Sequence, residues 1–264
     1  MVHFQHVIDS LPIVGFFVAF SIASLIAIEV GYRLGRWSQT RASDEKEGPT
    51  SMIVGSLLAL LAFLLAITMG MASDRFDTRR QLVLAEANAI GTLYLRAGYL
   101  QEPASGEIRE LLRAYVPLRI VTNDLADLRM KIARSGAIQM QLWSIAEDLA
   151  RAAPDSDVLA LFIESLNEMI DLHETRITAG LYARVPETIL ILLLLGSLLT
   201  LAMVGYSAGL SVRRSALTTV VLILVLGAVI TLVVDLDRPR DGFLDVNQQP
   251  LIDLLEQIGR DERH

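Results

Sequence analysis

Asp74, Arg75, Asp77, Arg79 and Arg80 crowd one charged turn directly after an apolar run that ends at Ser73. Arg75 and Arg79 share a helical face by their i, i+4 spacing. Guanidinium groups so placed can snorkel to lipid phosphates, pair with Asp74 or Asp77, or line an ion pathway. A second group, Asp235, Asp237, Asp241 and Asp245, follows the last apolar run. Carboxylate oxygens at close spacing suit a hard cation. Arg238 and Arg240 stand between them, however, and the bidentate terminal Glu of a complete calcium loop is missing. A salt-linked turn over Pro239 to Gly242 is therefore the competing expectation. The third group is Asp155, Asp157, Glu164, Glu168, Asp171 and Glu174, with no Lys or Arg among them. It reads as a solvated helix face, with a cation site as the alternative.

Other chemistries find little support. Without cysteine the chain has no disulfide, zinc–thiolate site or thiol catalysis. His3, His6, His173 and His264 are scattered, and His3 and His6 sit near the N-terminus, where solvation is the plain expectation. There is no nucleophile motif, His/Cys metal cluster or Gly-rich phosphate loop. Glu29 and Glu187 lie near the boundaries of apolar runs rather than at their centres. The sequence thus predicts neither an enzyme nor a cofactor, and no confident metal site. Its net charge of −7 argues against a nucleic-acid partner.

The elements that must position these groups are helices. Of the 264 residues, 53% are hydrophobic and 20% charged, close to an ordinary soluble chain; the distribution decides the class. Crossing a hydrocarbon core of ~30 Å takes about 20 apolar residues. Four runs qualify: Ser10 to Ile28, Pro49 to Ser73, Ile189 to Val212 and Ser215 to Val234. The first is not expected to be a cleaved leader, since no Lys or Arg precedes it and Glu29 and Arg33 follow it. Gly15, Ala19, Ala23, Ala27 and Gly31 form a small-residue ridge on the first span. Gly55 with Ala59, and Ala62, Ala66 and Gly70, do the same on the second. Such spacing lets backbones approach closely, within one chain or between subunits.

Residues 74–186 have helical period throughout and no strand alternation. Phe76, Val83, Ala87, Ile90, Tyr94 and Ala97 continue the second span, predicting one unbroken helix from Ser51 to Leu100 of about 75 Å. Further stripes run through Ile108, Leu111, Tyr115, Leu118, Leu125, Leu128 and Ile132; through Ile138, Leu142, Ile145 and Leu149; and through Val158, Leu161, Phe162, Met169 and Leu172. Pro117 predicts a kink or break in the first of these. GEIRE near Gly106 and APDSD from Ala153 to Asp157 look like helix starts. Leu251, Leu254, Leu255 and Ile258 predict a short amphipathic helix suited to docking on the domain or on a neighbour. The expected organisation is 1–73, two membrane helices; 74–186, a helical extramembrane domain; 187–234, two more membrane helices; and 235–264, a tail. The expected fold class is an all-α membrane protein. Arg33, Arg36, Arg41 and Lys46, with Arg213 and Arg214, would place the short loops in the cytoplasm and the domain outside. Arg75, Arg79, Arg80, Arg176 and Arg184 flank the domain itself and weaken that assignment.

The stretch from Leu60 to Leu100 resembles the bestrophin family of membrane ion channels, whose second helix ends in a motif close to S-x-D-R-[FW]-x-x-x-R. Ser73, Asp74, Arg75, Phe76 and Arg80 correspond. The resemblance is strongest to a bacterial bestrophin-like group. Its EANAIGT-x-YLRA string matches Glu86 to Ala97, and its DLDRPR-x-G string matches Asp235 to Gly242. This resemblance implies a homopentamer in a bacterial inner membrane, a pore lined by the second helix and a cytosolic helical domain, against the short-loop charge count. It implies inorganic ions as the transported species, with anions the family expectation. It further implies a hydrophobic neck at Ala59, Phe63 and Ile67, with Ala a departure at the first position, and a charged exit at Asp74, Arg75, Phe76, Arg79 and Arg80. Asp235, Asp237 and Asp241 are similar to the acidic cluster that binds calcium in animal bestrophins. The alternative to a channel is a non-conducting membrane sensor or assembly protein whose helical domain binds a partner or ligand.

Overall fold

The computed structural model describes residues 9–41, 47–122, 124–211, 216–238 and 242–260. In chain order the helices are α1 (Ile13–Arg41), α2 (Glu47–Ala97), α3 (Ala104–Arg119), α4 (Leu125–Ala152), α5 (Asp157–Leu181), α6 (Glu187–Leu210), α7 (Ala216–Asp237) and α8 (Gln249–Arg260). No strand occurs among the described residues. The protein is an all-α membrane protein: α1, α2, α6 and α7 are each long and apolar enough to cross a bilayer.

Local chemistry sets several of the boundaries. Asp124 caps α4 by accepting from the Ala126 amide at 2.9 Å, and Ser156 caps α5 by accepting from the Leu159 amide at 3.3 Å. The expected start at APDSD is that second cap. Pro117 falls in the last turn of α3, which stops at Arg119, so the run from Ile108 to Ile132 is two helices. Proline lacks the amide that a continuing helix needs.

The chain divides into two compact units, Met1–Phe76 with Arg184–Leu244, and Asp77–Ala183 with Asp245–His264. In the first, α1 packs on α6 and α7. Ile13, Phe16, Phe20, Ile230 and Val234 form one apolar cluster, and Ala72, Val185, Leu190, Val233 and Leu236 another. The closest approach joins α1 and α6 through reciprocal glycines. A Cβ at Gly31 would meet the Ala202 carbonyl oxygen at 1.9 Å, and one at Gly205 the Ile28 carbonyl oxygen at 2.1 Å; at Gly35 and Gly209 the Tyr206 and Tyr32 carbonyl oxygens would lie at 2.3 and 2.4 Å. This seam differs from the expected ridge. Buried positions on α1 are Ile13, Phe16, Phe20, Ser24, Ile28, Gly31 and Gly35, and Gly31 alone belongs to both sets. Strict steps of four drift about 40° each around a helix, so Gly15 and Gly31 occupy nearly opposite faces. On α2, a Cβ at Gly55 or Gly70 would meet nothing within 4 Å, so neither packs inside this chain.

In the second unit Ile90, Leu93, Ile108, Leu112, Tyr115, Leu142, Phe162, Leu166 and Met169 are fully buried in one core. Each such side chain contributes about 2 kcal/mol. Leu251, Leu254 and Ile258 of α8 are buried in the same core. On α5 the buried face is Leu159, Phe162, Ser165, Leu166, Met169, His173 and Arg176. Val158 and Leu161, expected in that stripe, are instead 43% and 49% exposed.

Candidate functional site

α2 has two faces of opposite character. In its membrane portion Val54, Leu61, Thr68 and Ala72 are buried. A helix advances about 100° per residue, so Ala59, Phe63, Ile67, Gly70 and Asp74 fall on the far side. Ala59, Gly70 and Asp74 are exposed there, Phe63 is 62% exposed and Ile67 45%. Only 17% of the most apolar stretch of α2 is buried, against 28–33% for the other three spans. The three expected neck residues therefore share one uncovered face. The charged exit divides between faces. Asp74 and Asp77 lie on the uncovered side and are exposed, as is Arg80, whereas Arg79 is 6% exposed and Arg75 and Phe76 are half-buried.

Further along α2, the Glu86 to Ala97 string explains itself. Ala87, Ala89, Ile90, Leu93, Tyr94 and Ala97 face the core, and Gly91 leaves room for Leu254 of α8, whose Cδ1 would lie 3.3 Å from a Cβ there. Glu86 is fully buried between two guanidinium groups. Arg119 donates from Nε at 2.6 Å, and Arg176 donates from Nη1 to the other carboxylate oxygen. Arg176 also donates to the Arg119 carbonyl at 3.0 Å and to Gln248 Oε1 at 2.6 Å. Burial pulls the Arg176 guanidinium below its ordinary range, and the charge and hydrogen bond of Glu86 oppose that. Sequence reading missed this triad. Its signal was present: Glu86 occupies an apolar position between Val83 and Ile90, three and four residues away, and Arg176 follows His173 by three on the core face of α5.

Beside the triad, Gln139 Nε2 donates to Tyr115 Oη at 3.0 Å, and Tyr115 Oη lies 3.0 Å from His173 Nδ1. Burial raises Tyr115 above its usual range, so the phenol keeps its proton. Burial first, then the fields of Arg119 and Arg176, lower His173 to about 3. The imidazole is thus neutral when folded and binds a proton only once released. Its contribution to stability is complete above pH 6.5 and is lost as pH falls towards 3, at about 1.4 kcal/mol per unit. Between pH 7 and 4 the His173→Gln variant is expected to lose less thermal stability than the parent; equal pH slopes in calorimetry would contradict this.

In the first unit, the DLDRPR-x-G string ties chain segments together. Asp235 accepts from the amides of Phe243 and Leu244 at 2.9 and 3.2 Å, and a Cβ at Gly242 would lie 2.5 Å from its Oδ1. Asp237 accepts from the Val185 amide at 2.7 Å and from Arg184 Nε at 3.2 Å. Arg184 also grips Asp9 with both terminal nitrogens, at 2.5 and 3.1 Å. Burial disfavours its charge, but Asp9 and Asp237 outweigh that and raise it. Arg238 donates to the Leu11 carbonyl at 2.9 Å. Asp235 and Asp237 are thereby occupied by protein donors, backbone amides and Arg184; most of the expected turn over Pro239 to Gly242 lies outside the described residues. Asp241 lies outside the described residues. Among the described residues no three His, Cys, Asp or Glu side chains are grouped to hold a metal ion.

A family model described as a Bestrophin-like domain matches residues 15–251. No curated protein matches the chain significantly. Among solved structures, a bacterial bestrophin homologue from Klebsiella pneumoniae, determined by Zn-SAD phasing, superposes with a TM-score of 0.63 at 19% identity, covering 94% of this chain and 96% of that one. Two single-mutation structures of a bacterial bestrophin homologue from that organism give TM-scores of 0.63 and 0.64, also at 19% identity and 94% coverage of this chain, with 97% of each covered.

Proposed function

Because the chain belongs to the bestrophin-like family, we propose that it is a homo-oligomeric ion channel, most simply a pentamer, with α2 lining the pore. The observation that carries this reading is the uncovered stripe of α2. Phe63 and Ile67 stand exposed on a helix that packs least within its own chain. Copies arranged around an axis would turn these residues into apolar rings, which gate ions by dewetting. Ala59 leaves the first ring wide, so the constriction rests on Phe63 and Ile67.

The family resemblance favours anions, whereas the charge on the stripe favours cations. Arg79 is buried on the packed face and Arg75 is half-buried beside it, while Asp74 follows Ile67 two turns later on the uncovered face. A ring of carboxylates raises the local concentration of cations. We therefore take small inorganic cations as the conducted species. Asp235 and Asp237 serve as turn-forming carboxylates in this reading. The helical unit is placed on the cytosolic side of a bacterial inner membrane, following the family resemblance against the short-loop charge count.

Flux from reconstituted liposomes under sodium and chloride gradients tests the proposal. The parent is expected to pass sodium in preference to chloride. Asp74→Asn is expected to lower that preference by roughly threefold or more, and Phe63→Ala with Ile67→Thr to raise total flux. An oligomer impermeable to both ions would remove the channel and leave the non-conducting assembly protein.

A further inference from the structure

The α3–α4 turn carries apolar side chains that the core of the second unit does not use. Val121 and Leu125 are 40% and 55% exposed, and Tyr182, at the end of α5, is 76% exposed. The turn itself is fixed. Thr122 Oγ1 donates to Asp127 at 2.6 Å, and Lys131 Nζ reaches that carboxylate at 3.0 Å and the Ile120 carbonyl at 3.2 Å. Asp127 is thus neutralised within the turn, and Asp124 is taken up in capping α4. Arg129 and Arg134 are exposed and pair with no carboxylate among the described residues. No acidic residue follows Asp127 until Glu147, so this end of α4 is apolar and basic.

Distances along the helices place the turn within the unit. Glu86 lies nine residues beyond Asp77 on α2, about 14 Å. Arg119 and Arg176 meet it there. Tyr115, one turn up α3 from Arg119, meets Gln139 of α4. Leu125 precedes Gln139 by fourteen residues, about 21 Å. Because α4 packs back along α3, its first turn returns to the level of Asp77, four residues past the end of the apolar run at Ser73. Tyr182 follows Arg176 by six residues and descends to the same end.

We infer that this end of the second unit rests on the bilayer, with Val121 and Leu125 at the acyl boundary and Arg129 and Arg134 on the phosphates of anionic lipids. Lipid is the neighbour that the continuity of the chain brings to this level. Side chains of a helix lean towards its N-terminus, so Leu125 and Arg129 project past the start of α4. An apolar tip beside guanidinium groups has the composition of a surface that lies on a membrane. A tyrosine suits the headgroup layer, where one end of the ring is dry and the other wet. Each basic residue near an anionic surface strengthens binding about fivefold. The second unit is then held to lipid by a contact separate from the spans, and the charge of the leaflet bears on its position. The inference rests on the four spans, not on the pore or on the number of copies.

Because the chain has no native cysteine, single cysteines report the contact. L125C and M140C each carry a fluorophore on the exposed side of α4, about 22 Å apart along the helix. The protein is placed in nanodiscs of phosphatidylcholine and phosphatidylglycerol that contain a nitroxide-bearing lipid. The label at position 125 is expected to be quenched and the label at position 140 not. Replacing phosphatidylglycerol by phosphatidylcholine, or adding R129E/R134E, is expected to lower the quenching at position 125 roughly fivefold or more. Both arginines are exposed, and an unchanged unfolding midpoint checks that R129E/R134E leaves the fold intact. A label at position 125 beyond reach of the nitroxide would overturn the inference. If that label were blue-shifted as well, protein rather than lipid would cover the turn. Quenching indifferent to both lipid charge and R129E/R134E would refute the arginine–phosphate contact.

Discussion

Glu86→Ala is expected to destabilise the helical unit by about 3–5 kcal/mol, the usual cost of stranding buried charge. Glu86 is fully buried, and its oxygens accept from Arg119 and Arg176, which are 6% and 8% exposed. Without it, two like charges face each other away from water. The loss reaches beyond the triad, because Arg176 also holds Gln248, the residue immediately before α8. Glu86→Gln keeps the shape and one acceptor but not the charge, so an intermediate loss is expected. Replacing Glu86, Arg119 and Arg176 together by Met removes the charges as a set and is expected to restore much of the stability. Thermal unfolding in detergent reads all three. At roughly 2–4 °C per kcal/mol, a Glu86→Ala midpoint within about 2 °C of the parent would refute the triad's structural role.

A comparable loss is expected at the α1–α6 seam. Gly31→Ala places a methyl group 1.9 Å from the Ala202 carbonyl oxygen, and Gly205→Ala places one 2.1 Å from that of Ile28. In both cases the obstacle is backbone, which cannot rotate aside as a side chain does. The helices must separate by about 1 Å or more, and the contacts lining the seam weaken together. Each substitution is expected to cost about 1–3 kcal/mol, and Gly→Val more. Gly196→Ala on the same α6 meets nothing within 4 Å and serves as the control. It is expected to be neutral or mildly stabilising, since alanine is the better helix former. Equal detergent stability for Gly31→Ala and Gly196→Ala would show that the close approach contributes nothing.

The sequence alone determined what depends on composition and period. Four apolar runs of spanning length, helical stripes between them and the break after Pro117 are local properties, because spanning a bilayer and closing a helix are satisfied within one segment. The family was also legible, through short strings whose residues are now seen to be structural. Glu86, Gly91 and Asp237 each touch a residue distant in the chain, and Asp235 meets Gly242, Phe243 and Leu244 a few residues beyond α7.

Only the tertiary structure decided which face of each helix was buried. Seven residues after Ile67, Asp74 still shares its face, whereas Arg75 and Arg79 turn inward; the spacing of charges could not say which of them an ion would meet. The same ambiguity misplaced the glycine seam on α1, and it put Val158 and Leu161 in a core that they leave uncovered. Periodicity reports that a helix has two faces. Which one a neighbouring helix covers depends on contacts between residues far apart in sequence, and those exist only in the folded chain.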